Sequence, residues 1–276
     1  MLSKDKVIAI YCMIDDILKG VQHPEDIRRR VSDSEIITTA IVSAMFFKGH
    51  HATAIGFMRD HGYISKMIDC SRFSRRLHKV GELLSQLLLK FGSYLQDVCC
   101  EMSYILDSFP VAVCDNIRIQ RCKLLKGKKW RGYTASMRRY FYGIKVQLLV
   151  TKSGIPVQFC FVPGNQADVK ALNRIVNGLP AESSIFADSA YTDYRMEDQL
   201  KSELSILLKS QRKGNSKRPD TKEQEWEKKT MRKRVETSIS DIKKMFPRTI
   251  HAVTFNGFLL KVLLFVFANQ IYRFIN

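Results

Sequence analysis

The pattern of apolar residues changes at about residue 103, and this change limits what the chain can fold into. Before it, apolar side chains recur at helical spacing, as between Val7 and Leu18. After it, Tyr104 to Val113 and Phe141 to Thr151 are rich in the β-branched and aromatic residues typical of strands. We therefore predict an all-α N-terminal domain, an α/β domain and a C-terminal helix packed on the core, over residues 1–100, 101–250 and 251–276.

Turn and cap signals organise the second region. Lys152-Ser153-Gly154 predicts a hairpin turn, so that Ile155 to Val162 returns antiparallel to the preceding strand. Asp168 is expected to cap a helix. Two further short strands, separated by a helix, are predicted at 184–188 and 204–209. The sequence thus predicts a mixed sheet of five strands flanked by helices.

The polar stretch from Ser210 to Thr230 is predicted to form a mobile loop. A long helix is expected to begin near Glu225 or Lys228. It should end at about Phe246, because the following proline cannot continue it.

Three acidic residues stand at unusual positions. Asp107 interrupts an apolar strand, where a buried carboxylate is costly unless it is paired or bound to a cation. Asp188 ends a strand, and ligands of open α/β sheets gather at the carboxyl ends of strands. Glu236 shares a polar helix stripe with Arg232 and Lys243, beside the apolar face of the same helix.

Each acid also has an ordinary explanation: Asp107 or Asp188 could belong to a turn, and Glu236 could pair with Arg232 on a solvated face. Together, two Asp on neighbouring strands and a Glu on a packing helix supply hard oxygen ligands for Mg²⁺ or Mn²⁺. Two such ions about 4 Å apart can activate a water or a 3′-OH and stabilise the leaving oxygen of a phosphodiester.

The net charge indicates a polyanionic partner. The chain carries 45 Lys and Arg against 27 Asp and Glu, a formal net charge of +18, and residues 101–276 account for +15 of it. Such an excess is extreme for an enzyme of small metabolites and favours nucleic acid.

Basic residues are concentrated in particular segments. Residues 121–139 hold eight cations and no acid, interleaved with aromatic rings that could stack on unpaired bases. A solvated loop is the alternative interpretation. The candidate DNA-binding residues of this segment are Lys128, Lys129, Arg131, Arg138 and Arg139. In the N-terminal helices, the candidates for recognition of DNA ends are Arg72, Arg75 and Arg76, unless they are simple surface charge.

The order strand–Asp107, strand–Asp188 and helix–Glu236 resembles the DDE transposases of bacterial insertion sequences, in particular the insertion-sequence group nine-eighty-two. In the related insertion-element four superfamily, the helix of the Glu carries a Tyr-x2-Arg-x3-Glu-x6-Lys signature. Arg232, Glu236 and Lys243 match this spacing, whereas Lys229 stands at the Tyr position. The segment Ala187-Asp188-Ser189-Ala190-Tyr191 resembles the motif around the second Asp.

The resemblance implies an RNase H-like catalytic core, with Asp107, Asp188 and Glu236 as catalytic residues that hold two Mg²⁺ or Mn²⁺ ions. It implies hydrolysis at transposon ends followed by attack of the 3′-OH on target DNA. The implied partners are double-stranded DNA, as terminal inverted repeats and target, and further copies of the chain in a homodimer or higher oligomer. Arg232 and Lys243 would contact DNA near the site.

Two other functions fit the same residues. An RNase H-like nuclease acting only by hydrolysis would need neither strand transfer nor paired ends. A decayed or domesticated relative would bind DNA without cleaving it.

No secretory signal is evident, so a cytoplasmic location is expected. The most apolar stretch, from Gly257 to Ile275, contains Lys261 and Arg273, and its longest apolar run is Val262 to Ala268. That run is too short to span a bilayer, so we predict a buried C-terminal helix and no membrane association.

Overall fold

The computed structural model describes residues 3–135 and 137–275. These residues form two compact units. The helical unit holds the chain up to Lys90 together with the chain from Asp241 onward, and the sheet unit holds Phe91–Ser240. The C-terminal segment thus belongs to the same unit as the N-terminal helices.

The helices, in chain order, are α1 (Lys4–Gly20), α2 (Asp33–Phe46), α3 (His51–Asp60), α4 (Cys70–Lys79), α5 (Gly81–Cys99), α6 (Leu172–Val176), α7 (Tyr194–Leu204), α8 (Lys222–Met245) and α9 (Phe255–Phe274). The strands are β1 (Ser103–Cys114), β2 (Arg131–Thr134), β3 (Arg139–Thr151), β4 (Pro156–Pro163), β5 (Ser184–Ala187) and β6 (Leu207–Ser210).

Helix α2 lies at the centre of the helical unit and packs against α1, α3, α4 and α9. Ser32 and Glu35 form a capping box at its start. Its first residue, Asp33, is buried and accepts hydrogen bonds from Arg76 at 2.5 Å and Arg29 at 2.7 Å. Although burial opposes ionisation, the hydrogen bonds from Arg76 and His23 hold the pKa of Asp33 below its ordinary value.

Helix α9 is long and apolar enough to cross a membrane, but 72% of its most apolar 18-residue window is buried within the protein. It packs on α2, and its Asn269 and Gln270 side chains are fully buried. The predicted burial of the C-terminal helix is therefore confirmed.

The sheet has six strands, one more than predicted. Along the main path the order is β2-β3-β1-β5-β6, and β4 pairs with β3 beside β2. The extra strand, β2, is antiparallel to β3, and Thr134 pairs with Arg139. We did not predict β2 from the sequence, because this short strand lies among surface cations and has no run of apolar residues. Strands β1, β3 and β4 are antiparallel neighbours, whereas β5 and β6 run parallel to β1.

One face of the sheet packs against α6 and α7. Leu106 and Ala187 of the strands share a buried cluster with Ile175 of α6 and Leu200 of α7. The second half of α5 lies against β4, and a Cβ on Gly92 would be only 2.2 Å from the carbonyl oxygen of Val157. Only glycine permits so close an approach at that point.

Helix α8 begins at Lys222, inside the segment predicted as a loop. The backbone N–H of Thr221 donates to the Gln224 side chain, and the N–H of Gln224 donates to the Thr221 hydroxyl. This reciprocal cap explains the early start, and the Thr-x-x-Gln pattern that encodes it was present in the sequence.

Candidate active site

The register between β1 and β5 aligns Asp107 with Asp188. Leu106 pairs with Ala187, the last residue of β5, so Asp107 and Asp188 each follow one member of that pair. Side chains alternate between the two faces of a sheet. Because Leu106 and Ala187 point into the cluster with α6 and α7, the two aspartates lie on the opposite face.

Both aspartates have the same local anchor. The carboxylate of Asp107 accepts a hydrogen bond from the N–H of Ser108 at 2.7 Å, and that of Asp188 accepts one from the N–H of Ser189 at 2.6 Å. Burial nevertheless raises the pKa of Asp107 to about 6, against the hydrogen bond from Ser108 and the charge of Arg232. The charges of Asp188 and Glu236 raise that pKa further, so the three predicted acids share one electrostatic environment.

Arg232 stands between the other two acids. Its Nη1 lies 3.6 Å from Oδ1 of Asp188, and its Nη2 lies 3.5 Å from Oε1 of Glu236. The arginine side chain is 23% exposed and the glutamate side chain 58% exposed, so the pair lies at the solvent boundary. The i,i+4 pair of Arg232 and Glu236 anticipated from helix geometry is thus present, and it extends to Asp188.

Gln211 orients this arginine, a role that sequence analysis missed. Its Oε1 accepts a hydrogen bond from Nη1 of Arg232 at 3.0 Å, and its backbone N–H donates to the carbonyl of Ala187 at 3.0 Å. Gln211 directly follows β6, just as Asp188 directly follows β5. Its position at the carboxyl end of a parallel strand is the sequence feature that could have identified Gln211 as a residue of the site.

Hydrogen bonds at two places along α8 attach this helix to the rest of the sheet unit. The buried Lys228 donates to the carbonyl of Ser210 at 2.8 Å and to Asp220 at 2.6 Å. Further along the helix, the hydroxyl of Ser238 donates to the carbonyl of Gly154 at 2.7 Å. Helix α8 is thus attached at both the β6 end and the β3–β4 turn, which brings Arg232 and Glu236 to Asp188.

The prediction that Asp168 caps a helix is wrong. A 3₁₀ turn starts at this residue, and its carboxylate makes no cap. Instead it accepts hydrogen bonds from Lys145 at 2.7 Å and Gln147 at 2.6 Å, both on β3. The amide oxygen of Gln147 in turn accepts a hydrogen bond from the buried Tyr191. Since Tyr191 lies three residues after Asp188, this network fixes the turn that carries the second aspartate.

The residues of this site can be compared with the ligands that a divalent metal ion requires. Among the described residues, no three His, Cys, Asp and Glu side chains converge closely enough to hold one metal ion. The donor chemistry nevertheless fits, because carboxylate oxygens are the ligands that Mg²⁺ and Mn²⁺ prefer. The raised pKa of Asp107 also shows a buried carboxylate whose charge is incompletely compensated.

The predicted DNA-binding residues fall into separate places. Those of the β2–β3 hairpin and the segment before it are all exposed: Lys128, Lys129, Arg131, Arg138 and Arg139. Tyr133 and Tyr140 of the same hairpin are more than half exposed, and their ring centroids lie 4.9 Å apart. This hairpin thus combines surface cations with accessible aromatic rings.

The other candidates differ in exposure. Lys243 is exposed on α8, and Arg72 and Arg75 are exposed on α4. Arg76 is only 17% exposed and bonds to Asp33 and to the carbonyl of Val31. The guanidinium of Arg76 is therefore held inside the helical unit.

Residues 97–252, more than half of the chain, match the family described as a transposase DDE domain. The chain belongs to this transposase DDE domain family. Asp107, Asp188 and Glu236 all lie inside the matched region, and transposases are enzymes that cut and transfer nucleic acid.

A solved structure resembles this transposase chain in fold. It is the cryo-electron microscopy structure of the piggyBac transposase in a synaptic complex with hairpin DNA. The two chains are 10% identical with a TM-score of 0.53, and the match covers 98% of this chain and 72% of the other. No curated protein matches the sequence.

Proposed function

We propose that this transposase binds the ends of a DNA element, hydrolyses a phosphodiester there and joins the freed 3′-OH to target DNA. The alignment of Asp107 with Asp188 across β1 and β5 carries the proposal, since Glu236 joins the same charged group through Arg232. All four residues lie in the region that matches the transposase family.

The proposed catalytic residues are Asp107, Asp188 and Glu236, and their carboxylates would hold two Mg²⁺ or Mn²⁺ ions. Such ions, when bound, polarise the phosphodiester and activate the attacking water or 3′-OH. The chain itself keeps Asp107 desolvated, orients both aspartates through backbone N–H groups, and places Arg232 as a counter-charge. Gln211 holds Arg232 at the end of β6, so the arginine can also meet a DNA phosphate near the carboxylates.

Double-stranded DNA is the proposed partner, as terminal inverted repeats and as target. The excess of cations in residues 101–276 and the exposed cations of the β2–β3 hairpin support it. The piggyBac transposase of similar fold was solved in a synaptic complex with hairpin DNA. Pairing of two ends by a homodimer or higher oligomer belongs to the same proposal, as does a cytoplasmic location.

We also propose that the sheet unit is an RNase H-like core. Its three antiparallel strands β4, β3 and β1, followed by the parallel β5 and β6, support this assignment. Membership of the bacterial insertion-sequence group nine-eighty-two is proposed from the order strand–Asp107, strand–Asp188 and helix–Glu236. The spacing of Arg232, Glu236 and Lys243 supports a relationship to the insertion-element four superfamily.

A cleavage assay tests the proposal. The full chain and Glu236→Gln are incubated with labelled DNA that carries the sequences flanking its own gene, with Mg²⁺ or with EDTA. Glu223→Gln, an exposed glutamate in the first turn of the same helix, is the matched control. We expect metal-dependent nicking at the ends by the wild type and Glu223→Gln, and none by Glu236→Gln.

Strand transfer is measured in the same reactions by adding target DNA. Cleavage without joined products would favour a nuclease that acts only by hydrolysis. DNA binding by every protein without cleavage by any would contradict the catalytic proposal and favour a non-catalytic DNA-binding relative.

A further inference from the structure

A cleft of about 900 Å³ opens within the helical unit, on the side formed by α4 and the start of α9. One wall is the second half of α4, and the other is the segment 251–254 with the first turns of α9. The first residue of α3, His51, completes it. The cleft uses only residues of the helical unit and is separate from the carboxylate site in the sheet unit.

The polar side chains of this cleft are basic or neutral. Arg75, Lys79 and Lys261 contribute three cations. Three of the six histidines of the chain also line it, namely His51, His78 and His251. None of the lining residues is acidic. A concave surface with cations on several elements and no carboxylate attracts anions, because field lines concentrate in such a cleft.

Two of the basic groups that line the cleft are partly buried, and one of them lies in the field of other cations. Burial lowers the pKa of His51 to about 4, and the positive charges of Lys261, His50 and His78 lower it further. Burial also lowers the pKa of Lys261, whose ammonium group donates to the carbonyl of His251 at 2.5 Å. A bound anion would offset the repulsion that His51 experiences from the neighbouring positive charges.

The walls also suit the sugar of a nucleotide. Val253 is 97% exposed at the cleft, and Leu260 lies in its wall. The ring of His78 packs against Gly257, where an added Cβ would lie 2.9 Å from His78 Cε1. Apolar patches beside cations match a deoxyribose next to its phosphate, whereas a free inorganic anion would use the cations alone.

The cations continue beyond the cleft along α4. Arg72, Arg75 and Lys79 are exposed and follow an i, i+3, i+7 spacing, which places them on one face of the helix. Such a row can follow successive phosphates of one strand. This continuity favours a nucleic-acid backbone over a small anion as the occupant.

We propose that this cleft binds the phosphate backbone of DNA, with Lys79 and Lys261 as phosphate ligands and His51 and His78 lining the bound strand. The inference rests on the proposed function, because it gives the transposase a second DNA contact apart from the site of cleavage. It adds α9 and the start of α3 to the elements that touch DNA.

Salt-dependent DNA binding tests the inference on the full chain. The double variant Lys79→Gln/Lys261→Gln is compared with the wild type by fluorescence anisotropy, using duplex DNA of the element ends in Mg²⁺-free buffer. Lys66→Gln, an exposed lysine of the helical unit that does not line the cleft, is the matched control. Each lost phosphate contact lowers the magnitude of the slope of log K against log salt by about 0.9. The slope of the double variant should therefore be smaller in magnitude than that of the wild type by about 1.8.

We expect the double variant to bind DNA at least tenfold more weakly at low salt, and Lys66→Gln to bind as the wild type does. Circular dichroism and thermal unfolding establish that each variant folds. An independent measurement uses ¹³C-labelled histidine in the wild type: DNA should shift the imidazole resonances of His51, His78 and His251. Inorganic phosphate alone should shift them much less at the same phosphate concentration.

A double variant that keeps the wild-type salt slope would overturn the inference, as would histidine resonances that do not move when DNA binds. These failures differ from failure of the proposed function. If the wild type cleaves DNA while the cleft variant binds normally, only the cleft is wrong. If the cleft variant loses binding while the wild type never cleaves, the cleft stands and the catalytic proposal fails.

Discussion

Arg232 on α8 lies 3.6 Å from Asp188 at the end of β5, although 43 residues separate the two in the chain. The same guanidinium reaches Glu236, so one cation serves two of the three proposed catalytic carboxylates. A divalent cation bound by those carboxylates would compete with it electrostatically.

The first prediction concerns this competition. Arg232→Gln should bind Mn²⁺ several-fold more tightly than the wild type, because two carboxylates lose their counter-charge. The measurement is a titration followed by electron paramagnetic resonance of free Mn²⁺. Arg234→Gln, an exposed arginine two residues further along α8, should leave Mn²⁺ binding unchanged. Weaker Mn²⁺ binding by Arg232→Gln would show instead that the arginine holds the carboxylates in place.

The second prediction concerns the buried charge of Asp107. Its pKa is raised from an ordinary 3.8 to about 6, so the unfolded chain ionises at lower pH than the folded protein. Below both pKa values the carboxyl is protonated in the folded and the unfolded state, so its burial as a charge does not lower the free energy of unfolding. As pH rises from about 4 to above 6, the free energy of unfolding falls. The total loss is about 1.4 kcal/mol for each unit by which the pKa in the folded protein exceeds the pKa in the unfolded chain.

Asp107→Asn should therefore raise the unfolding temperature at pH 7.5 in the presence of EDTA, while it abolishes cleavage. The gain should shrink at pH 4.5, where the wild-type carboxyl is largely protonated. Thermal unfolding of both proteins at the two pH values checks this. An equal or lower unfolding temperature for Asp107→Asn at pH 7.5 would contradict the assigned burial.

The third prediction concerns the β2–β3 hairpin segment. Lys128→Gln/Lys129→Gln should weaken DNA binding and lower the salt slope by about 1.8, since both exposed lysines are proposed phosphate contacts. The control is Lys170→Gln/Lys201→Gln, which removes the same charge from exposed positions beside α6 and on α7. Anisotropy titrations at several salt concentrations compare them. Equal slopes in the two double variants would mean that only net charge matters.

The fourth prediction concerns the helical unit. Arg76→Gln should destabilise the protein by about 3 kcal/mol, because it leaves the buried Asp33 without its closest partner. The pKa of Asp33 is lowered in the folded state, so its stabilisation is present above about pH 4 and is lost as pH falls below that value. Urea unfolding of wild type and Arg76→Gln at pH 7 and pH 3 should show the difference shrinking in acid. A constant difference would exclude Asp33 as the cause.

Local patterns in the sequence were sufficient to find the elements that carry the site. The apolar runs identified β1 and β5, and the helical period placed Arg232, Glu236 and Lys243 on one stripe of α8. These features depend on residues a few positions apart, which periodicity records directly.

The tertiary structure determined which distant residues the side chains of these elements contact. Asp168 looked like a helix cap, but it bonds to Lys145 and Gln147, more than twenty residues earlier. The antiparallel pairing of β4 with β3 places the end of β4 beside Lys145 and so makes these bonds possible. Arg76 was a candidate for recognition of DNA ends, with surface charge as the alternative, but its guanidinium bonds to Asp33, 43 positions earlier. Sequence alone determined which residues could carry chemistry. The fold decided which of them meet, because contacts between distant residues depend on strand register and packing.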